Sequence, residues 1–246
     1  MWLTVIGHWA PYPKTGEATS GYLLETEETR ILLDCGHGVF SCLGNYVDYN
    51  ILDAVFISHF HPDHYVDLYA LRHALRGAFM LKKREEKLKL FIPEKPEREY
   101  EYFKGAPEFE VIEIKNRMKV EVKDINLEFV EMKHALPSYG LKVSFKEKAL
   151  FYTGDTAFFT DFYREGEKVQ LLLAECCLYK NEGMYAKRAG HMTTHDAGRM
   201  AEVLRADKLV ATHFWPGYDI DRLRAEILEV HKGELIMAKA GLKIKV

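Results

Sequence analysis

The stretch AVFISHFHPDHYVDL, residues 54–68, decides how the chain is read. It opens with the apolar run of a buried strand. It then places His59, His61, Asp63 and His64 within six residues. The three imidazoles at this spacing repel one another when protonated, and they and the carboxylate cost free energy to desolvate. A cation among them relieves both penalties, because neutral imidazole and carboxylate are good ligands for borderline ions such as Zn²⁺.

Working outward, the same placement recurs. His134 follows the apolar run LEFVEMK, Asp155 follows LFYTG and His213 follows LVAT. Four strands therefore carry ligand-type residues at their C-terminal ends, where loops held by rigid strands build sites. Seven candidate ligands exceed the need of one tetrahedral ion. They suit two, with Asp155 able to bridge through its two oxygens.

The 246 residues suffice for one sizeable core. With 48% hydrophobic and 29% charged residues, the composition is that of a globular chain. No apolar run approaches the ~20 residues of a membrane span. The N-terminal MWLTVIGHWAPYPKTG has no basic leader and reads as a first strand. A net charge of −3 gives no sign of a broadly basic nucleic-acid surface. Cys35, Cys42, Cys176 and Cys177 have no C-x-x-C spacing and read as reduced thiols, which places the protein in the cytoplasm. Gln170 is the only glutamine among many Glu and Lys, a composition expected of a thermophile.

Strands are expected at LTVIG, GYLLET, RILLDCG, LDAVFIS, LKLFIP, FEVIEI, INLEFVEMKH, YGLKVSF, KALFYTGD, VQLLLAECC, KLVATHF, ELIMAK and LKIKV. Helical periodicity marks GVFSCLGNYVDY, YVDLYALRHALRGAFM, THDAGRMAEVLRA and DIDRLRAEILEVH, with Thr194 the expected cap of the third and Asp196 in its first turn. This mixture, without a Pro/Gly/Ser-rich linker, predicts one α/β domain over residues 1–246, with two packed sheets covered by helices.

The motif SHFHPDH, followed by His134, TGD and THF, resembles the metallo-β-lactamase superfamily over nearly the whole chain. The resemblance implies an αββα sandwich of two mixed sheets with a two-metal site at one edge. It assigns His59, His61 and His134 to one ion, Asp63, His64 and His213 to the other, and Asp155 to both. Zn²⁺ is the expected metal, with Mn²⁺ the other candidate. The stretch AECCLYKNEGMYAKRAGHMTTHDAGRMA is similar to the ribonuclease Z-like phosphodiesterases, which carry a Glu at the matching strand end and a G-H-x-T segment before a helix. That likeness points His191 at the metal centre and the phosphate, with Glu175 orienting it. GHWAPYPKTGEATSGYLLE resembles the same branch's substrate-facing loop. His73 and His195 sit on helices and are read as non-ligands.

The expected activity is hydrolysis of small phosphodiesters or cyclic nucleotides. A hydroxide shared by the two ions attacks phosphorus, and Asp63 orients it and takes its proton. The alternative is a transfer-RNA 3′-processing endoribonuclease acting on RNA, and a further one is thioester or acyl hydrolysis on the same metals. The chain lacks the long Gly/Pro-rich arm with which the tRNA-processing enzymes hold tRNA, and LKKREEKLK, residues 81–89, is its one basic run. The resemblance also suggests a homodimer.

Overall fold

A computed structural model describes residues 1–162 and 168–246. The first half runs β1 (Trp2–Gly7), β2 (Gly21–Glu25), β3 (Arg30–Leu33), α1 (Val39–Leu43), β4 (Ala54–Phe56), α2 (Pro62–Tyr65), α3 (Leu68–Met80), β5 (Leu88–Ile92), α4 (Glu97–Lys104) and β6 (Phe109–Glu113). The second runs β7 (Lys119–Val122), β8 (Ile125–Met132), β9 (Ser138–Phe145), β10 (Lys148–Tyr152), β11 (Leu171–Glu175), α5 (Gly183–Ala189), α6 (Thr194–Val203), β12 (Lys208–Thr212), α7 (Ile220–Val230), β13 (Glu234–Met237) and β14 (Lys243–Lys245).

The strands form two seven-stranded sheets, ordered β14-β1-β2-β3-β4-β5-β6 and β13-β12-β11-β10-β9-β8-β7. β3, β4, β5 and β6 are parallel. In the second sheet β10, β11, β12 and β13 are parallel, while β9 runs against both β10 and β8. β8 therefore points the same way as β10 and β12. The C-terminal ends of β8, β10 and β12 share one edge of their sheet, and those of β3 and β4 share one edge of theirs.

Each sheet is covered on both faces, which explains why its strands read as continuous apolar runs. In β3, Ile31 and Leu33 join the core between the sheets, and Leu32 joins the core under the helices. α3 buries Leu68, Leu71, Leu75 and Ala78, a stripe at helical spacing, against the first sheet. Ala197, Met200 and Ala201 of α6 and Leu223 and Ile227 of α7 cover the second. The layers are helix, sheet, sheet, helix, as the motifs imply. No helix among the described residues is long and apolar enough to cross a membrane.

Local features differ from the sequence expectation. The helix expected over residues 38–49 stops at Leu43, where Gly44 takes the C-cap, and a single 3₁₀ turn follows at Tyr49–Ile51. The cap of α6 is Thr193, not Thr194. Its hydroxyl accepts from the Asp196 amide while the Asp196 carboxylate accepts from the Thr193 amide. Thr194 instead donates its hydroxyl to Glu226 at 2.7 Å, tying α6 to α7. Helices α4 and α5 and strand β7 carry no clear periodicity, because each buries so little: Phe103 in α4, Ala186 in α5 and Val122 in β7.

Phe129 of the second sheet lies between Phe56 and Phe91 of the first, with ring centroids 5.7 and 5.4 Å away. It is fully buried. Phe129→Ala is expected to lower the unfolding free energy by about 3–5 kcal/mol, measured by denaturant titration. A change near zero would show that this stack does not hold the sheets together.

Candidate metal centre

Phe56 ends β4, and residues 57–60 lead from it to His61, which is extended and caps the start of α2. Pro62 occupies the first turn of α2, where its missing N–H costs nothing. One turn of helix then places Asp63 and His64 beside His59. From the second sheet, His134 arrives after β8, Asp155 after β10 and His213 after β12.

The seven residues divide around Asp155. Its Oδ2 lies 3.5 Å from His59 Nε2 and 4.0 Å from His134 Nε2. His61 Nδ1 closes that group, 2.9 Å from His59 Nε2 and 3.0 Å from His134 Nε2. Its Oδ1 lies 3.4 Å from His64 Nε2 and 3.1 Å from His213 Nε2. Asp63 Oδ2 completes the second group, 3.6 Å from His64 and 3.5 Å from His213. Tetrahedral ligands about 2.0–2.1 Å from a zinc ion stand about 3.3 Å from one another. Both groups therefore suit a divalent cation. Asp155 Oδ1 is buried and has no hydrogen-bond donor, as expected of an oxygen kept for a cation.

The ring nitrogens turned away from the centre are held by the protein. His64 Nδ1 donates to Asp34 Oδ2 at 2.7 Å, and His134 Nδ1 donates to the Gly190 carbonyl at 2.7 Å. Each bond selects the tautomer that leaves Nε2 to the centre. Asp34 is fully buried and also accepts from the Ser58 amide at 2.7 Å, the Ser58 hydroxyl at 2.8 Å and the Tyr152 hydroxyl at 2.5 Å. Gly190 must be glycine. Its φ is +77°, and a Cβ there would stand 2.9 Å from His134 Nδ1. His213 holds a left-handed φ of 64° without being glycine, the kind of backbone strain that concentrates at functional sites.

His191 Nδ1 stands 3.1 and 3.2 Å from the two oxygens of Glu175 and 3.8 Å from Asp155 Oδ2. Glu175 also accepts from the amides of Thr156 at 2.7 Å and Met192 at 3.2 Å, so it fastens the residue after Asp155 to the residue after His191. A donor atom of Cys177 lies within 4.8 Å of those of Glu175, His191 and His213. His73 is exposed on α3. His195 bonds Glu229 at 3.0 Å and lies outside the donor groups.

A cleft of about 950 Å³ opens beside the centre, lined by His134 and His191 with Lys133, Lys180, Lys187, Arg188 and Arg199. The run at 81–89 is thus not the chain's one basic feature. It lies elsewhere: β5 begins at Leu88 parallel to β4, so residues 81–87 sit at the strand starts, opposite the donors. There Arg84 is bonded to the carbonyls of Asn50 and Leu52, at 2.7 and 2.9 Å.

Burial works against charge on His64, yet Asp155, Asp63 and Asp34 outweigh it and raise its pKa well above the ordinary value. Burial likewise opposes charge on His213, but Asp155 and Asp63 lift its pKa to about 10. Burial pushes the Asp155 pKa up, and His213, His64 and His59 pull it well below the usual carboxylate range. His59 is driven well below its ordinary value by burial and by the neighbouring His64. The carboxylates thus favour positive charge at His64 and His213, the charge that a bound cation would supply.

Residues 29–214 match the model of the beta-lactamase superfamily domain. The probable metallo-hydrolase YhfI of Bacillus subtilis (strain 168) is 31% identical over 242 residues, covering 98% of either chain. A crystal structure of YhfI, a metallo-β-lactamase fold protein, superposes with a TM-score of 0.94 at 30% identity over 99% of this chain and 98% of that one. The chain therefore belongs to the metallo-β-lactamase superfamily, and it is a metallo-hydrolase. A ribonuclease Z of Ignicoccus hospitalis is 23% identical over 87% of this chain and 88% of its own length. A diphosphatase of the PhnP family shares the fold, with a TM-score of 0.78 at 17% identity over 100% of this chain and 97% of that one.

Two donor groups sharing one carboxylate predict close to two divalent ions per chain, with Asp155→Ala losing at least one by elemental analysis. Chelation should lower the melting temperature, since the ions stabilise only the folded state. The raised pKa values of His64 and His213 add a pH prediction. The surrounding carboxylates favour protonation at this pair, whose Nε2 atoms stand 3.0 Å apart, so loading the metal-free protein should release protons, and affinity should fall as pH falls. Calorimetry in buffers of different ionisation enthalpy checks the release. Heats independent of buffer would show that the site is already deprotonated.

Proposed function

We propose that the protein is a dinuclear phosphodiesterase acting on small phosphodiesters. The observation that carries this reading is the division of six donors over the two oxygens of Asp155, with His191 alongside and facing a cationic cleft. The relatives named ribonuclease Z and the G-H-x-T segment at Gly190–Thr193 support phosphorus as the attacked atom rather than an acyl carbon.

On this reading His59, His61 and His134 hold one cation, Asp63, His64 and His213 hold the other, and Asp155 serves both. Two divalent cations, zinc in first place and manganese second, supply Lewis-acid charge and lower the pKa of a water to near neutrality. Asp63 orients that water and accepts its proton. His191 carries a positive charge. Burial opposes it, but the Glu175 carboxylate more than compensates and raises the imidazole's pKa. With Nδ1 committed to Glu175, Nε2 remains to donate to the leaving oxygen or to the charge developing on phosphate. Glu175 is a positioning residue. It fixes His191 and, through the Thr156 amide, the loop that carries Asp155.

Transfer-RNA 3′ processing remains a second reading, favoured by the cationic cleft and by the names of relatives. The 81–89 run does not support it, since it lies at the opposite edge from the donors.

The test is turnover of bis(p-nitrophenyl) phosphate beside thioester, lactam and pre-tRNA substrates, using metal-analysed protein. His191→Ala should keep its metal and lose about 10²–10⁴-fold in kcat, the range for a general acid or an oxyanion donor. Full diesterase activity in that variant would remove His191 from the mechanism. Preferential cleavage of pre-tRNA at its 3′ junction would replace the small-substrate reading with the second one.

A further inference from the structure

The walls of the cleft beside His191 come from separate parts of the chain. Lys133 follows β8, Lys180 lies in the turn before α5, Lys187 and Arg188 end α5, and Arg199 lies on α6. Among the described residues Asp196 is the only carboxylate in the lining, and it is already bonded to Thr193 at 2.7 Å. Such a lining runs against the chain's net charge of −3.

Two of the cations are neutralised by the protein. Lys133 pairs with Asp161 at 3.0 Å, and Lys180 grips both oxygens of Glu229 at 2.5 and 2.6 Å. The side chains of Lys187, Arg188 and Arg199 have no hydrogen bond or ion pair among the described residues. Like charges brought to one concavity repel, and an anion placed between them turns that repulsion into charge-assisted hydrogen bonds. The scissile phosphate does not account for them. On the reading above it is met by the two cations and His191, whereas the cleft extends from His191 across α5 and α6.

We propose that Lys187, Arg188 and Arg199 form a clamp for a second phosphate, so that the substrate is a phosphodiester carrying at least one further phosphate group. This rests on the phosphodiesterase reading. The second phosphate comes either from a terminal phosphomonoester of a small nucleotide or from the next linkage of an oligonucleotide. The chemistry at the clamp is the same. Guanidinium forks suit both, being planar donors matched to phosphate oxygens.

The experiment compares metal-loaded wild type with the triple variant Lys187→Ala/Arg188→Ala/Arg199→Ala. The control is Lys82→Ala/Lys83→Ala, which removes charge at the opposite edge. All five residues are exposed. Substrates are diuridine monophosphate, the same dinucleotide with a 5′- or a 3′-phosphate, and longer oligouridylates. The wild type should prefer one phosphorylated dinucleotide by about 10–10²-fold in kcat/KM, chiefly through KM, as expected for lost charge-assisted bonds. The preference should vanish in the triple variant and persist in the control. No preference, or one that survives the triple substitution, overturns the clamp. A gain complete at the first added phosphate identifies a terminal phosphate. A gain that climbs with length and weakens steeply with salt identifies a polynucleotide.

A binding arm separates this proposal from the reading beneath it. Calorimetry with adenosine 3′,5′-bisphosphate and adenosine 5′-monophosphate should show tighter binding of the bisphosphate, lost in the triple variant. If that holds while no diester is cleaved, the clamp stands and the assignment of the broken bond falls. If diesters are cleaved and the bisphosphate has no advantage, the hydrolase stands and the clamp falls.

Discussion

The carboxylate of Asp34 is the interaction on which the rest of the site depends. It is fully buried at the end of β3, where an unpaired charge would be prohibitive. Four donors meet it: the Ser58 amide and hydroxyl, His64 Nδ1 and the Tyr152 hydroxyl. β3, the end of β4 and helix α2 belong to the first half of the chain, while Tyr152 ends β10 in the second. One side chain thus locks the facing edges of both sheets and sets the tautomer of His64. A buried network satisfied this fully is rigid, and any unmatched member would be costly.

Strand direction supplies the second constraint. The donors after β8, β10 and β12 meet because those strands run the same way, β9 reversing between β8 and β10. They face the donors after β4 because the two sheets pack with their donor-bearing edges together. Close backbone approach does the rest, as at Gly190, whose carbonyl fastens His134 and whose missing Cβ leaves room for that ring.

The fold class and the seven clustered residues were legible because they leave local marks. His59 to His64 are dense in a single hexapeptide, and His134, Asp155 and His213 each end an apolar run. His191 and Glu175 were legible through the likeness of their segment. Asp34 was not. In RILLDCG it looks like any residue ending a strand, and its partners lie 24, 30 and 118 positions away. The cationic cleft was hidden for the same reason, since its lining residues from Lys133 to Arg199 form no run. The one visible basic run proved to sit at the wrong edge. Helix α5 escaped notice because a seven-residue helix that buries only Ala186 has no apolar stripe.

Helix α7 lies on the outer layer and lines no part of the cleft, yet it holds the cleft's wall in place. Its Glu226 is 5% exposed. It accepts from the Lys180 amide at 2.8 Å, the Thr194 hydroxyl at 2.7 Å and Arg222 at 3.0 Å. One turn on, Glu229 takes the Lys180 ammonium and His195. The turn leading into α5 and the start of α6 are thus pinned from behind. The width of the cationic cleft is set on the far side of its own wall, so changes in an outer helix can reshape the cleft while the donor-bearing edge stays unchanged.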